Sequence, residues 1–265
     1  MTAPALRPRS PSEIVDAAFQ ILRAHYPQFV TCSAIAYAPL LLLRLLVVGD
    51  PMRFLGVDPV EAFPSDILWS TGVAFLGGWL TFSIMSAVLL ICASQAYLGE
   101  EVDVGAAVRR ALPRVPQVLI AAVLRFVLMV IAFMLMIFPV LYVVALLFAV
   151  TSVVVLERGG VLTAFERSAS LSRGRKWHIL NTLGLVAIIY YVLIFGFSMV
   201  ASISGNFVVS TVVSALVTVL VYPVVAIAEA LLYYDARIQS EGLDIELMTG
   251  ALEPPSGGTA PAARI

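Results

Sequence analysis

Apolar residues occur along this chain in long, nearly uninterrupted runs, each close to the length an α-helix needs to cross a bilayer. That length is about 20 residues at about 1.5 Å rise per residue. Residues 29–48 form the first run and 67–92 the second, the latter continuing as helix to Leu98. From Gln117 to Leu156 the chain runs 40 residues with one charge, Arg125. This is too long for one crossing and suits two. Pro139 lacks an amide donor and restricts the residue before it, which puts a turn near Phe138 and gives spans 117–138 and 139–156. The fifth span is 179–203, Ser204-Gly205-Asn206 supplies turn chemistry, and 207–234 returns as the sixth. The pattern predicts an all-α, polytopic membrane protein with six transmembrane helices.

Between the spans lie shorter segments with a different periodicity. Ser10-Pro11-Ser12-Glu13 is a capping box with proline at the first helical position. It opens a helix that carries Ile14, Val15, Ala18, Phe19 and Leu22 on one face and Asp16, Gln20 and Arg23 on the other. A second amphipathic helix fits 103–112, with Val104, Ala107, Val108 and Ala111 opposite Arg109 and Arg110. A third opens at Thr163-Ala164-Phe165-Glu166, again read as a capping box, and runs to about Ser172. The sequence therefore predicts one unit three times: an interfacial helix, a span out, a turn and a span back. Such helices are expected in the headgroup layer, basic side chains toward anionic lipid. Residues 240–247 fit a short docked helix, while 1–9 and 248–265 read as disordered.

Composition agrees with the pattern and then adds an orientation. Of 265 residues, 61% are apolar and 12% charged, against about 45–50% and about 25% in soluble domains. The mean hydropathy is +0.99. A net charge of −1 argues against nucleic acid as a partner. Fifteen of the 16 basic residues are Arg, a usage that points to a GC-rich bacterial genome. Thirteen of them flank the spans on one side. Only Arg53 lies on the other, in a loop shared with Asp50, Asp58, Glu61 and Asp66. Basic residues near span ends stay cytoplasmic, so both termini are expected inside a bacterial cytoplasmic membrane. The N-terminus has no apolar segment of signal-peptide type beside its arginines. Cys32 and Cys92 fall in apolar runs and read as packing residues.

Charges inside a span are functional suspects, because each costs about 2.5–3.5 kcal/mol at the span centre. Arg44 lies near the outer end of the first span and can snorkel. Arg125 in the third span and Glu229 in the sixth are at comparable depth, and the expectation is that they pair across helices. Such a pair either holds the bundle together or handles a proton or substrate. Ser210, Ser214, Thr218, Ala226 and Ala230 form a stripe at four-residue spacing on the sixth span, suited to helix packing and also to a pore lining. Gly72, Gly77 and Gly78 predict close packing in the second span, and Pro39 and Pro223 predict kinks. His25 and His178 lack metal-ligand spacing, and the acidic outer loop reads as solvated rather than as a cation site. No metalloprotease, nucleophile-elbow or phosphate-loop motif is present in the sequence. Neither an enzyme nor a cofactor is expected.

Four segments carry a resemblance. They are the opening Pro-Ser-Glu-Ile helix, Leu156-Glu157-Arg158-Gly159-Gly160 leading into the basic stretch that ends at Trp177, Leu231-Leu232-Tyr233-Tyr234-Asp235-Ala236-Arg237, and Glu241-Gly242-Leu243-Asp244. Together they resemble bacterial integral membrane proteins of the glycerophosphoryl diester phosphodiesterase membrane-domain type, over roughly residues 10–247. The resemblance implies a six-span module without the catalytic phosphodiesterase barrel, so it carries over no catalytic residue. Arg158, Arg167, Arg173, Arg175 and Lys176, beside Trp177, read as a belt for anionic headgroups or a docking face for a cytoplasmic partner. Tyr233, Tyr234, Asp235 and Arg237 fall within reach of that belt. The function expected is a scaffold or accessory subunit related to envelope lipids. The competing expectation is a transporter, or its membrane subunit, that uses Arg125 and Glu229.

Overall fold

The computed structural model describes residues 9–43, 64–135, 137–203, 205 and 207–241. Helix α1 (Pro11–Ala24) starts with the expected capping box. Ser10 Oγ accepts from the Glu13 amide at 3.3 Å, and Glu13 Oε2 accepts from the Ser10 amide at 2.8 Å. Then come α2 (Tyr26–Leu43), α3 (Pro64–Leu98) and α4 (Val104–Ala111), the last capped by Asp103. A 3-10 turn at Leu112–Arg114 leads into α5 (Val115–Leu135), followed by α6 (Ile137–Leu146). Helix resumes at Val150–Ser152 and widens into a π-helical turn at Val153–Glu157. The chain ends in α7 (Val161–Leu171), α8 (Lys176–Ser202) and α9 (Phe207–Glu241).

Among the described residues, five helical stretches are long and apolar enough to cross a membrane. They are Gly77–Leu98, Val104–Leu135, Phe138–Glu157, Lys176–Ala201 and Val208–Glu241. This is the pattern of a multi-pass, all-α membrane protein. The remaining expected span, 29–48, coincides with α2 as far as Leu43, and its end lies outside the described residues. So do Arg44, Asp50, Arg53, Asp58 and Glu61, the terminal segments 1–8 and 242–265, and the surroundings of Asp66 and Gly72. The order of an amphipathic helix followed by two long apolar stretches recurs three times, as α1–α3, as α4 to Glu157 and as α7–α9.

Helix α9 is the central element, packed against α1, α2, α3 and α8. Its half from Ala226 to Ile238 holds the deepest core, with Ile227, Leu231, Leu232 and Tyr233 all buried. An aromatic ladder crosses the bundle from α8 to α2, running Tyr190, Tyr222, Phe82 and Tyr37 at centroid distances of 5.9, 5.1 and 6.4 Å. Cys32 on α2 and Cys92 on α3 are buried with free thiols, their sulfurs 2.8 Å apart. By contrast α8 presents Ile188, Tyr191, Val192, Phe195, Met199 and Val200 outward. Lipid tails are as apolar as these side chains, so no force drives them inward in a bilayer.

Several local expectations are corrected. Helix α5 ends at Leu135 and α6 begins at Ile137, close to the boundary expected near Phe138, and Pro139 fits the first turn of α6 where helical amides have no partner. The span expected over 139–156 is broken at Leu147–Ala149. Helix α7 begins at Val161 with Gly160 as N-cap and no side-chain cap, so Thr163 and Glu166 form no capping box. Helix α9 does not stop at Tyr234 but runs on to Glu241, which absorbs the start of the short docked helix expected at 240–247. Gly77 and Gly78 have open space where a Cβ would stand and are not points of close helix approach. The turn after α8 does use Gly205, at φ 60°, in the left-handed region that favours glycine.

The three expected amphipathic helices all dock on the bundle. α1 packs on α9 and α8 and buries Ile14, Val15, Ala18 and Leu22. α4 packs on α3 and α2 with Ala107 and Ala111 buried, and α7 packs against the helical segments from Val150 to Glu157 with Ala164, Ser168 and Leu171 buried. Their apolar faces cover the bundle. Periodicity defines an apolar face but not what covers it.

Candidate functional site

The break at Leu147–Ala149 frees backbone groups that helix bonding would have satisfied. Ser168 of α7 takes both sides of the gap. Its Oγ donates to the Leu146 carbonyl at 2.8 Å and accepts from the Ala149 amide at 3.1 Å. Ser168 is fully buried, so the repair is made inside the protein. α7 is thereby pinned beside the π-helical turn. That turn ends on Arg158, a non-glycine residue at φ 56°, a sparsely populated conformation.

Glu157, the last residue of the π turn, organises the polar end. Tyr233 donates its hydroxyl to Glu157 Oε1 at 2.6 Å. Arg167 of α7 approaches Glu157 at 3.2 Å and also pairs with Glu241 at the end of α9. Arg237 bonds Glu241 at 3.1 Å and lies 3.9 Å from Glu157. Past Tyr234, helix α9 turns polar and leaves its apolar stretch, so Glu241 titrates outside the span. Partial burial opposes its ionisation, but the guanidiniums of Arg167 and Arg237 outweigh that and hold its carboxyl below the usual glutamate range. Asp235, 4% exposed, accepts from the Arg9 amide at 2.9 Å and from Gln239 Nε2 at 2.7 Å, with His178 Nε2 3.6 Å away. Arg175 donates to the Ala236 carbonyl at 2.8 Å.

These contacts separate the basic belt expected from the sequence into two sets. Arg167 and Arg175 are internal ties, and Lys176 sits 3.9 Å over the Tyr142 ring. Arg158, Arg173 and Trp177 are exposed. The reach of Asp235 and Arg237 toward this region is as the sequence implied. Next to Glu157 opens a cleft of about 630 Å³. Arg110, Arg114, Arg158 and Arg237 line it, together with Glu100, Glu157 and Gln95. Arg110, Arg114, Arg237, Glu157 and Gln95 were not singled out as site residues from the sequence. They come from α3, α4, the turn after it, the π turn and α9, and no local spacing joins them.

Deeper in the bundle, Arg125 and Glu229 line one cavity of about 150 Å³ with Met129, Leu147, Phe148 and Leu183. They share this space without forming the contact ion pair expected. The Arg125 guanidinium lies over the Trp79 ring at 5.6 Å, the cation–π attraction replacing a carboxylate partner. Glu229 Oε2 accepts from Ser86 Oγ at 3.4 Å, while its Oε1 is sealed from solvent without a hydrogen-bond partner.

Most of the small-residue stripe lies at buried or helix-contact positions. Ser214 meets Ser198 of α8 at 3.3 Å, Thr218 Oγ1 donates back to the Ser214 carbonyl at 2.8 Å, and Ala226 and Ala230 are buried; Ser210 is partly exposed. Among the described residues, no three His, Cys, Asp or Glu side chains converge as a metal site. Compared with family models, curated proteins and solved structures, the chain matches none.

Proposed function

We propose that the protein is a non-enzymatic scaffold or accessory subunit of a bacterial cytoplasmic membrane, with six spans and both termini inside. It acts by engaging anionic lipid headgroups, or a protein partner, through its basic end. One observation carries this reading: arginines from α4, the residue after the π turn, α7, the start of α8 and the end of α9 gather at one end of the bundle, where ion pairs hold Arg167 and Arg237 and a backbone carbonyl holds Arg175. Basic groups at span ends favour the cytoplasmic side, and anionic headgroups are concentrated there. The resemblance to glycerophosphoryl diester phosphodiesterase membrane-domain proteins supports the same reading. The test is native mass spectrometry of the protein extracted from bacterial membranes. Retained anionic phospholipid or a stoichiometric membrane partner is the expected result; a bare monomer contradicts the proposal.

A second reading, a transporter or its membrane subunit, is favoured by the cavity that Arg125 and Glu229 both line, a space large enough for a few water molecules. In proteoliposomes, solute uptake abolished by Glu229→Gln supports it. Uptake unchanged in that variant removes Glu229 from any transport mechanism.

A further inference from the structure

The cleft beside Glu157 has features the ion-pair platform does not need. Its volume of about 630 Å³ falls in the range of small-molecule sites, about 300–1,000 Å³. Four guanidiniums line it against two carboxylates. One carboxylate, Glu157, is already engaged by Arg167, Arg237 and Tyr233. Arg114 is held by Gln117 Oε1 at 3.0 Å, and Arg237 by Glu241. Among the described residues, Arg110 and Arg158 have no carboxylate within ion-pair distance. A cleft with surplus guanidiniums suits an oxyanion that accepts two or more charge-assisted hydrogen bonds, and phosphate is the fit for planar, bidentate donors.

Gln95, 5% exposed, also lines the wall, with its Oε1 sealed away from solvent. The neighbouring Ser94 hydroxyl is spent on Tyr234 at 2.6 Å. The floor is apolar, formed by Ile91, Val155 and Leu156. Arg158 is held facing this space by the π turn and its left-handed backbone, features that recur at functional sites.

We propose that this cleft binds a phosphate ester, with Arg110 and Arg158 on the phosphate oxygens. The ester is either a phospholipid headgroup or a free phosphate ester; the chemistry is shared. The proposal rests on the reading of the basic end as an anion-engaging face, and it names the ligand class and the residues that select it.

The experiment uses the full chain in nanodiscs of phosphatidylcholine alone or mixed with phosphatidylglycerol, titrated with inorganic phosphate and with glycerol phosphate. Wild type is compared with Arg110→Gln/Arg158→Asn, and with Arg109→Gln on the exposed face of α4 as control. Asparagine is used at 158 because it tolerates the left-handed backbone. The double variant is expected to lose at least about tenfold in affinity for both soluble probes, as two charge-assisted contacts imply. Arg109→Gln is expected to change neither. Soluble probes that bind wild type and are displaced by phosphatidylglycerol identify the lipid headgroup. Binding that phosphatidylglycerol leaves unchanged identifies a free ester, in which case the site stands and the lipid reading falls. Probe binding equal in all three proteins, or none to wild type, overturns the cleft site. Retained anionic lipid in the cleft variants would then leave the broader lipid reading intact.

Discussion

Ser168 shows how much one small polar side chain does in this protein. It sits on an amphipathic helix yet repairs a broken span two elements away, accepting one amide and donating to one carbonyl. Removing its oxygen leaves the Ala149 amide and the Leu146 carbonyl without their partner in a site closed to water. Ser168→Ala is therefore expected to destabilise the protein by about 1–3 kcal/mol, read as a lower midpoint in detergent unfolding. Ser170→Ala on the exposed side of the same helix is expected to change it little. Ser168 was invisible as a functional residue in the sequence because a buried hydroxyl on a helix face reads as a small packing residue. Its role depends on a break in another helix that no local signal marks. Arg125 and Glu229 were legible for the opposite reason: charge in an apolar run stands out, and depth follows from counting residues. The sequence could not reveal that Trp79 takes the guanidinium face while the carboxylate turns to Ser86.

At the scale of elements, length and termini were readable while docking was not. Capping chemistry at Ser10 and Asp103, the turn at Gly205 and the apolar lengths of the spans are local properties, and they place the helices within a few residues. The three amphipathic helices were placed correctly along the chain, but what their apolar faces cover was not readable, since an apolar stripe fits a bundle and a bilayer equally well. The ion pairs that fasten α7 to α9 join residues up to 84 positions apart, Glu157 to Glu241, through Arg167. They give a pH dependence with a definite sign. Glu241 has its folded-state pKa depressed, so its contribution is complete above the unfolded value of about 4.3 and fades as pH falls through the lower folded value. Hydrogen exchange at the end of α9 is expected to rise only under those acid conditions. Glu241→Gln should show raised exchange already at neutral pH and a flatter acid response. An acid response of the same size in that variant would place the sensitivity elsewhere.

For the whole molecule, the account rests on orientation. The basic end holds the ion-pair platform and the arginine-lined cleft, and both serve a cytoplasmic anionic surface only if that end lies inside. The opposite end carries the turn near Ile203, 82% exposed, where α8 gives way to α9. The direct measurement is labelling of single cysteines in intact cells with a membrane-impermeant maleimide, in a Cys32→Ala/Cys92→Ala background. Ile203→Cys is expected to react from outside. Arg173→Cys is expected to react only after the membrane is permeabilised. Labelling of position 173 in intact cells, with 203 protected, would contradict the orientation and with it the proposed function.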